Sequence, residues 1–393
     1  MHPKSSAILV LTSIKYFLSR TYTTHRKILH NIRKQTMVKT RNPMMENLNQ
    51  PLNMECSSDP PFHQTYKNLF NTSSDDSRSG SDDELVVVEE RELPLIDLSR
   101  LCMEEEREGC EREIVRASEE WGFFQVVNHG ISRDILERIR EEQVKVFNQP
   151  FDKKCKEDKY MNLSAGSYRW GTPTATCLKQ LSWSEAFHIP MTDISGAAGV
   201  NKTIFSSTVE QFATTVAGLA QKLAEILAEK LGHKSTFFQE NCLPSTCYLR
   251  MNRYPPCPIP VEVFGLMPHT DSDFLTILCQ DEVGGLQLVK DGKWIAVKPN
   301  PEALIINIGD LFQAWSNDVY KSVKHRVVAN PWRERFSIAY FLCPSYETVI
   351  QSCSQPAIYR KFSFKEYRQK VQEDVQKYGY KVGLPRFQMN CIG

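Results

Sequence analysis

Between positions 246 and 342 the chain breaks into seven short β-rich runs, each cut off by Pro, Gly or Asp. They lie at 246–254, 275–279, 286–288, 294–297, 303–308, 325–328 and 336–342. Strands this short and closely spaced leave no room for crossover helices, so they predict an all-β sandwich or jelly roll rather than alternating βαβ units.

Helical patterns flank these runs. From Phe205 the apolar residues Val209, Phe212, Val216, Leu219, Leu223, Ile226 and Leu227 recur every three or four positions, and Gly232 follows as a stop. Further upstream, 93–98 (LPLIDL) reads as a strand, 103–121 as a charged helix, 123–128 (FFQVVN) as a second strand and 132–147 as another helix. A charged helix is expected over 362–377.

The formal charge of +1, from 48 basic and 47 acidic residues, conceals two unlike parts. Residues 1–45 hold nine Lys or Arg and no acid, leaving 39 basic against 47 acidic residues, net −8, in the remainder. An acidic body argues against nucleic acid as a partner, because a phosphate backbone needs a basic face. The basic leader, rich in Ser and Thr, reads as an upstream extension or an organelle transit peptide. The tract 71–84 (NTSSDDSRSGSDDE) has too few apolar groups to repay its ordering entropy and is expected to be a flexible linker. Twelve scattered cysteines without a CxxC pair read as reduced thiols of an intracellular protein, and the longest apolar run, 7–18, is too short to span a bilayer. The chain is therefore expected to be cytoplasmic, with nuclear access possible and no membrane partner; no oligomeric state is assigned.

The chemistry concentrates in Pro268-His269-Thr270-Asp271. At a strand end, period-two alternation points His269 and Asp271 to one side. His325, 54 residues beyond Asp271, offers a second imidazole at the start of another strand. Two histidines and one carboxylate on one face of an octahedral ion leave adjacent positions open, as in non-haem Fe(II) oxygenases, although the same ligands suit Zn(II). The surroundings decide between them. Arg335 and Ser337 form an i, i+2 pair in an otherwise apolar strand beside Phe336, Ile338 and Phe341, which suits a buried dicarboxylate.

With these residues in place, the sequence resembles the plant Fe(II)- and 2-oxoglutarate-dependent dioxygenases. It carries an HxD…H triad (His269, Asp271, His325), an RxS pair (Arg335, Ser337) and an NxYPPCP segment at 252–258, besides LPLIDL and WGFFQVVNHGI at 121–131. The resemblance implies a mainly β fold with flanking helices: a double-stranded β-helix (jelly roll) core with an amino-terminal α/β section. It implies iron held by the triad and 2-oxoglutarate held by Asn252, Tyr254, Arg335 and Ser337, with dioxygen as oxidant and ascorbate as reductant. The expected organisation is a basic, disordered leader at 1–53 and a mostly disordered linker at 54–92, read from composition, then an amino-terminal dioxygenase section at 93–200. A long joining helix at 201–242, the jelly roll at 243–345 and a helical tail at 346–393 complete it.

The segments 167–190, 250–258, 265–278 and 382–387 are similar to the gibberellin 2-oxidases, specifically the subgroup acting on twenty-carbon gibberellins. That resemblance implies hydroxylation of a hormone precursor at carbon 2, which inactivates it. A rigid diterpenoid acid calls for apolar walls and a cation. Trp170, Trp183 and Phe341 are candidate walls, and Arg169, Lys179 and Arg250 candidate cations. The rivals are another plant dioxygenase acting on a flavonoid, an alkaloid or a different gibberellin carbon, and a catalytically silent jelly roll that binds a hormone. Of the remaining residues, His129 reads as fixing the NHG turn, His188 as facing pocket or solvent, Gly284-Gly285 as a turn, and Asp310 as support for the segment that follows it.

Overall fold

The computed structural model describes residues 57–70, 88–155, 167–196, 204–234, 236–259 and 263–389. The basic leader at 1–53 and the Ser/Asp tract at 71–84 lie outside the described residues. Six strands come first: β1 (Glu89–Arg91), β2 (Leu95–Asp97), β3 (Phe123–Val127), β4 (Tyr168–Trp170), β5 (Glu185–Pro190) and β6 (Tyr248–Tyr254). Seven follow in quick succession: β7 (Phe264–His269), β8 (Leu275–Gln280), β9 (Leu286–Lys290), β10 (Lys293–Val297), β11 (Leu304–Ile308), β12 (His325–Val328) and β13 (Arg335–Leu342). An eight-stranded sheet has the order β2-β3-β11-β8-β13-β6-β5-β4, and a five-stranded sheet the order β1-β10-β9-β12-β7. From β7 onward the chain passes back and forth between the two sheets, which is the jelly-roll connectivity. The seven strands read from the sequence are present, and β7 is an addition. Gly265 and Pro268 interrupt its alternation, so it carries no periodic signal.

The register of β13 against β6 separates core from site. Seven consecutive pairs run from Arg335 opposite Tyr254 to Phe341 opposite Tyr248. Because side chains alternate, Phe336, Ile338 and Tyr340 share one face with Leu249 and Met251, and all five are buried in the main core. Against this face packs the helix Ile204–Lys230 through Val209, Phe212, Val216, Leu223 and Leu227, each at most 3% exposed. The opposite face presents Arg335, Ser337, Ala339 and Phe341 alongside Tyr254, Asn252, Arg250 and Tyr248.

The amino-terminal α/β section extends the same sheet. β2 and β3 pair in parallel, connected through the helix Glu104–Glu120, and β3 joins β11. Cys110, Ile114 and Ala117 form the buried stripe of that helix. Ser132 caps the next helix, Arg133–Phe147, by accepting from Ile135 N.

Residues 57–70, inside the stretch expected to be mostly disordered, are ordered and docked. Phe62 stacks on Trp183 with ring centroids 4.3 Å apart, and Thr172 N donates to Tyr66 Oη at 2.9 Å. A buried charge network fastens the entry to this strap. Lys154 Nζ reaches Glu185 Oε2 (2.6 Å) and also donates to the Ser58 and Phe147 carbonyls. Arg253 bridges Glu185 (2.7 Å) and Asp59 (2.8 Å). Composition alone hides such docking, because the sequence partners lie about one hundred residues away.

Glu185 is fully buried, so Glu185→Gln leaves the buried Lys154 without its counter-charge and leaves Arg253 only its more exposed partners Asp59 and Glu334. Urea unfolding is expected to show a loss of about 3–5 kcal/mol. A loss under about 1 kcal/mol would mean the network is not the fastening it resembles.

Candidate active site

His269 ends β7 and His325 begins β12, and the two are directly opposite in the antiparallel ladder. Opposed residues share a face, which brings the imidazole centroids to 4.3 Å. Asp271 completes the group: its Oδ1 lies 3.6 Å from His269 Nε2 and 3.8 Å from His325 Nε2. Among the described residues these three form the one His/Cys/Asp/Glu group whose ligand atoms all fall within 4.8 Å.

The hydrogen bonds around the triad prepare each ligand atom. His269 Nδ1–H donates to the Met267 carbonyl (2.7 Å) and His325 Nδ1–H to the Val323 carbonyl (3.1 Å). A carbonyl only accepts, so both rings carry their proton on Nδ1 and turn an Nε2 lone pair toward Asp271. Asp271 Oδ2 accepts from Thr276 Oγ1 (2.7 Å) and Asn307 Nδ2 (2.8 Å), leaving Oδ1 for the site. Burial opposes ionisation of Asp271, but the two imidazoles and these two hydrogen bonds hold its carboxyl down to about 2. Burial and the adjacent His325 hold His269 down to about 3. At neutral pH the set is one carboxylate with a neutral His269, as a divalent metal requires. Asp273 behaves oppositely: burial and the charge of Asp271 push its carboxyl well up. The Thr276 hydroxyl stands between the two carboxyls, 2.7 Å from Asp271 Oδ2 and 3.0 Å from Asp273 Oδ2.

A clasp from the carboxy-terminal segment fixes the metal-ligand turn. Asp310 Oδ2 accepts from Thr270 Oγ1 (3.1 Å), Lys381 Nζ (2.8 Å) and Tyr367 Oη, while Oδ1 accepts from Ser322 Oγ (2.6 Å). Lys381 also donates to the Thr270 carbonyl and to Ser272 Oγ. Asp310 N donates to the Asp271 carbonyl at 2.9 Å. This tightness requires Gly309, since a Cβ there would sit 2.1 Å from Asp273 Oδ1. The structural role read for Asp310 is thus a link between both histidine-bearing segments and the tail.

Next to the triad, Arg335 is 2% exposed, and among the described residues no carboxylate pairs with it. Its guanidinium donates to Gln280 Oε1 (2.8 Å) and Ser337 Oγ (3.4 Å), stacks 4.9 Å above the Tyr254 ring, and leaves Nε without a partner. Asn252 Nδ2 donates to the same Ser337 hydroxyl at 3.4 Å. Gly265 lets the Tyr254 ring lie this close to β7, because a Cβ would be 2.8 Å from it. A buried guanidinium with spare donors fits an anion that brings its own carboxylate.

These groups line one cavity of about 260 Å³. It contains His269, Asp271, His325, Arg335, Ser337, Asn252, Tyr254, Arg250 and Phe341. A larger cavity, about 620 Å³, lies against the helix Arg133–Phe147 and holds none of the triad, so chemistry and not volume selects the site. Trp170, Trp183 and Lys179 do not line the cavity, which corrects their assignment to it. Alternation turns Trp170 away from its neighbour Arg169, and Trp183 is buried with Phe62 under the strap. Lys179 is exposed on a short 3₁₀ turn. Arg169 lies on the edge strand, outside the cavity wall. His129 takes the bland role read for it, accepting from Ile131 N in its turn. The sequence reading missed Asn307, Thr276, Tyr248 and Lys381. Asn307 had a signal: it is the lone polar residue of the buried strand LIINI.

A jelly roll holding two histidines, a carboxylate and an unpaired buried arginine in one cavity defines a non-haem oxygenase site. Profile comparison agrees: the 2OG-Fe(II) oxygenase superfamily matches residues 245–344, and the non-haem dioxygenase in morphine synthesis N-terminal region matches residues 93–202. The chain belongs to the 2OG-Fe(II) oxygenase superfamily. It is 65% identical over 339 residues to gibberellin 2-beta-dioxygenase 8 of Arabidopsis thaliana, covering 84% of this chain and 98% of that protein. Gibberellin 2-beta-dioxygenase 6 of Oryza sativa subsp. japonica is 51% identical over 76% of this chain and 85% of its own length. Among solved structures, JOX2 in complex with 2OG, Fe and JA is similar at TM-score 0.60 and 31% identity, covering 76% of this chain and 91% of that one. The dioxygenase for auxin oxidation in rice gives TM-score 0.62 at 28% identity, over 76% and 100%.

Asn307→Leu removes one of the two donors that fix Asp271. Calorimetric titration with Mn(II) is expected to show affinity reduced about 10–100-fold, the usual cost of losing an outer-shell partner. Unchanged affinity would show that Thr276 alone suffices to orient the carboxylate.

Proposed function

We propose that the protein 2-beta-hydroxylates gibberellins, with twenty-carbon precursors as substrates, and so inactivates the hormone pathway. The observation that carries the substrate is the 65% identity, over 98% of its length, to a protein named for that reaction. Flavanone 3-dioxygenase 2 of rice, by contrast, is 34% identical.

In this reading His269, Asp271 and His325 hold iron. Their donor set, two imidazole nitrogens and a carboxylate oxygen, suits Fe(II) with positions left open. Arg335 and Ser337 grip the distal carboxylate of 2-oxoglutarate, with Tyr254 packed over the guanidinium and Asn252 orienting the serine hydroxyl. When bound, iron with 2-oxoglutarate and dioxygen supplies the oxidising chemistry, releasing succinate and carbon dioxide as a substrate C–H becomes C–OH. The chain itself binds, orients and shields. Phe341, stacked on Tyr248 at 4.5 Å, walls the cavity with apolar surface and keeps water from the reacting carbon. Retention of the whole triad and of Arg335 argues against a silent hormone-binding jelly roll.

Among the described residues no helix is long and apolar enough to cross a membrane. The ten described cysteines are all unpaired, which suits a reducing compartment such as the cytoplasm.

The test is product identification by mass spectrometry after incubation with iron, ascorbate, 2-oxoglutarate and a panel of gibberellins and flavanones. The expected result is a hydroxylated gibberellin with matching succinate, and neither product from His269→Ala. A hydroxylated flavanone without a gibberellin product would overturn the substrate assignment.

A further inference from the structure

We infer that residues 57–70 are a positioning element for 2-oxoglutarate: the strap sets the Tyr254 ring on Arg335, so that docking of the strap and binding of the cosubstrate favour each other. This rests on the reading that Arg335, Ser337 and Tyr254 hold 2-oxoglutarate, and adds what holds them.

A continuous run of contacts joins the two places. Phe62 is buried and stacks on Trp183. Trp183 N donates to the Phe264 carbonyl at 2.7 Å, which fixes the first residue of β7. Gly265 comes next, and the Tyr254 ring lies so close to it that a Cβ there would be 2.8 Å away. That same ring lies 4.9 Å from the Arg335 guanidinium. A shift of Trp183 is therefore carried to Tyr254 through the backbone of β7. Phe62 also shares a small core with Cys257, Val263 and Ala329. These stand just beyond β6, just before β7 and just beyond β12. The strap thus packs where three strands of the cavity end or begin.

Charge supplies a second link, on the opposite face of β6. Asp59 pairs with Arg253 at 2.8 Å, and Arg253 Nε donates to Glu334 Oε2 at 2.8 Å. Arg253 lies between Asn252 and Tyr254, and Glu334 immediately precedes Arg335. Each end of the cosubstrate grip is therefore tied to the strap through a buried guanidinium.

The dock is shaped for this strap. Tyr66 Oη accepts from Thr172 N at 2.9 Å, and Gly171, at φ +59°, leaves the room, since a Cβ there would sit 2.3 Å from that oxygen. His269, by contrast, stands at the far end of β7, about 16 Å of strand from Phe264, and its turn is held by the carboxy-terminal clasp. Loss of the strap should fall on the cosubstrate and spare the metal.

Two events that favour each other do so by one factor, read from either side. The experiment uses the full chain loaded with Mn(II). Hydrogen exchange is followed over 62–70 with and without saturating 2-oxoglutarate. Calorimetry gives the 2-oxoglutarate affinity of the wild type, Phe62→Ala, Tyr66→Phe and Arg335→Gln, and separate titrations give their Mn(II) affinity. The cosubstrate is expected to slow exchange over 62–70 by about 5-fold or more, the low end of coupling between separate sites, and to leave the helix Glu104–Glu120 unchanged. Phe62→Ala should weaken 2-oxoglutarate by a similar factor with Mn(II) affinity kept, and Tyr66→Phe should weaken it less. A strap that only adds stability would lower the melting temperature of both variants and leave their 2-oxoglutarate affinity as it was. That result, or exchange over 62–70 indifferent to the cosubstrate, would overturn the inference and leave the cosubstrate assignment standing. Should Phe62→Ala fail to fold, the exchange measurement on the wild type decides alone. Equal binding of 2-oxoglutarate by the wild type and Arg335→Gln would overturn the cosubstrate assignment and the inference with it.

Discussion

Seven consecutive residue pairs between β6 and β13 are the constraint on which the rest depends. A strand buried on both faces must sort its side chains by parity. One parity class of RFSIAYFL is apolar and packs on the long helix, and the other alternates Arg, Ser, Ala and Phe into the cavity. A slip of one residue would bury Arg335 in the hydrophobic core, at a cost far above the few kcal/mol that a domain has in reserve. The same parity on β6 delivers Tyr254, Asn252 and Arg250 to the same wall.

Across from that wall the five-stranded sheet supplies His269 and His325 of the triad, and here electrostatics decides what packing alone leaves open. Asp271 has one oxygen occupied by Thr276 and Asn307 and the other turned to the imidazoles. Among the described residues no carboxylate pairs with the buried Arg335. Each is a local imbalance, and the two are complementary to different guests: a divalent cation and an anionic chelator of it. The carboxy-terminal segment takes part through Lys381 and Tyr367, which both meet Asp310, and Lys381 reaches the Thr270 carbonyl from 111 positions away to hold the triad's turn in place.

The fold class was legible because seven short strands between turn residues admit few arrangements, and the HxD…H and RxS spacings mark a single cavity once those strands are drawn. Other features were not. β7 carries His269 yet lacks alternation, since Gly265 and Pro268 serve close approach to Tyr254 and the turn into the triad rather than strand propensity. Trp170 and Trp183 looked like pocket walls because large aromatics suit a diterpenoid. Their orientation depends on strand parity at β4 and on the docking of Phe62 from more than one hundred residues upstream, which local pattern does not encode. Charged residues fared similarly: Arg250 and Lys179 are alike in composition, and only the register distinguishes the cavity wall from an exposed turn.

The central claim is that one cavity holds metal and cosubstrate on opposite walls. Anomalous diffraction at the iron edge, from crystals grown anaerobically with Fe(II) and 2-oxoglutarate, tests it most directly. The expected result is a single peak coordinated by His269 Nε2, Asp271 Oδ1 and His325 Nε2, with the distal carboxylate of 2-oxoglutarate on Arg335 and Ser337. A peak elsewhere, or 2-oxoglutarate bound away from Arg335, would contradict the account.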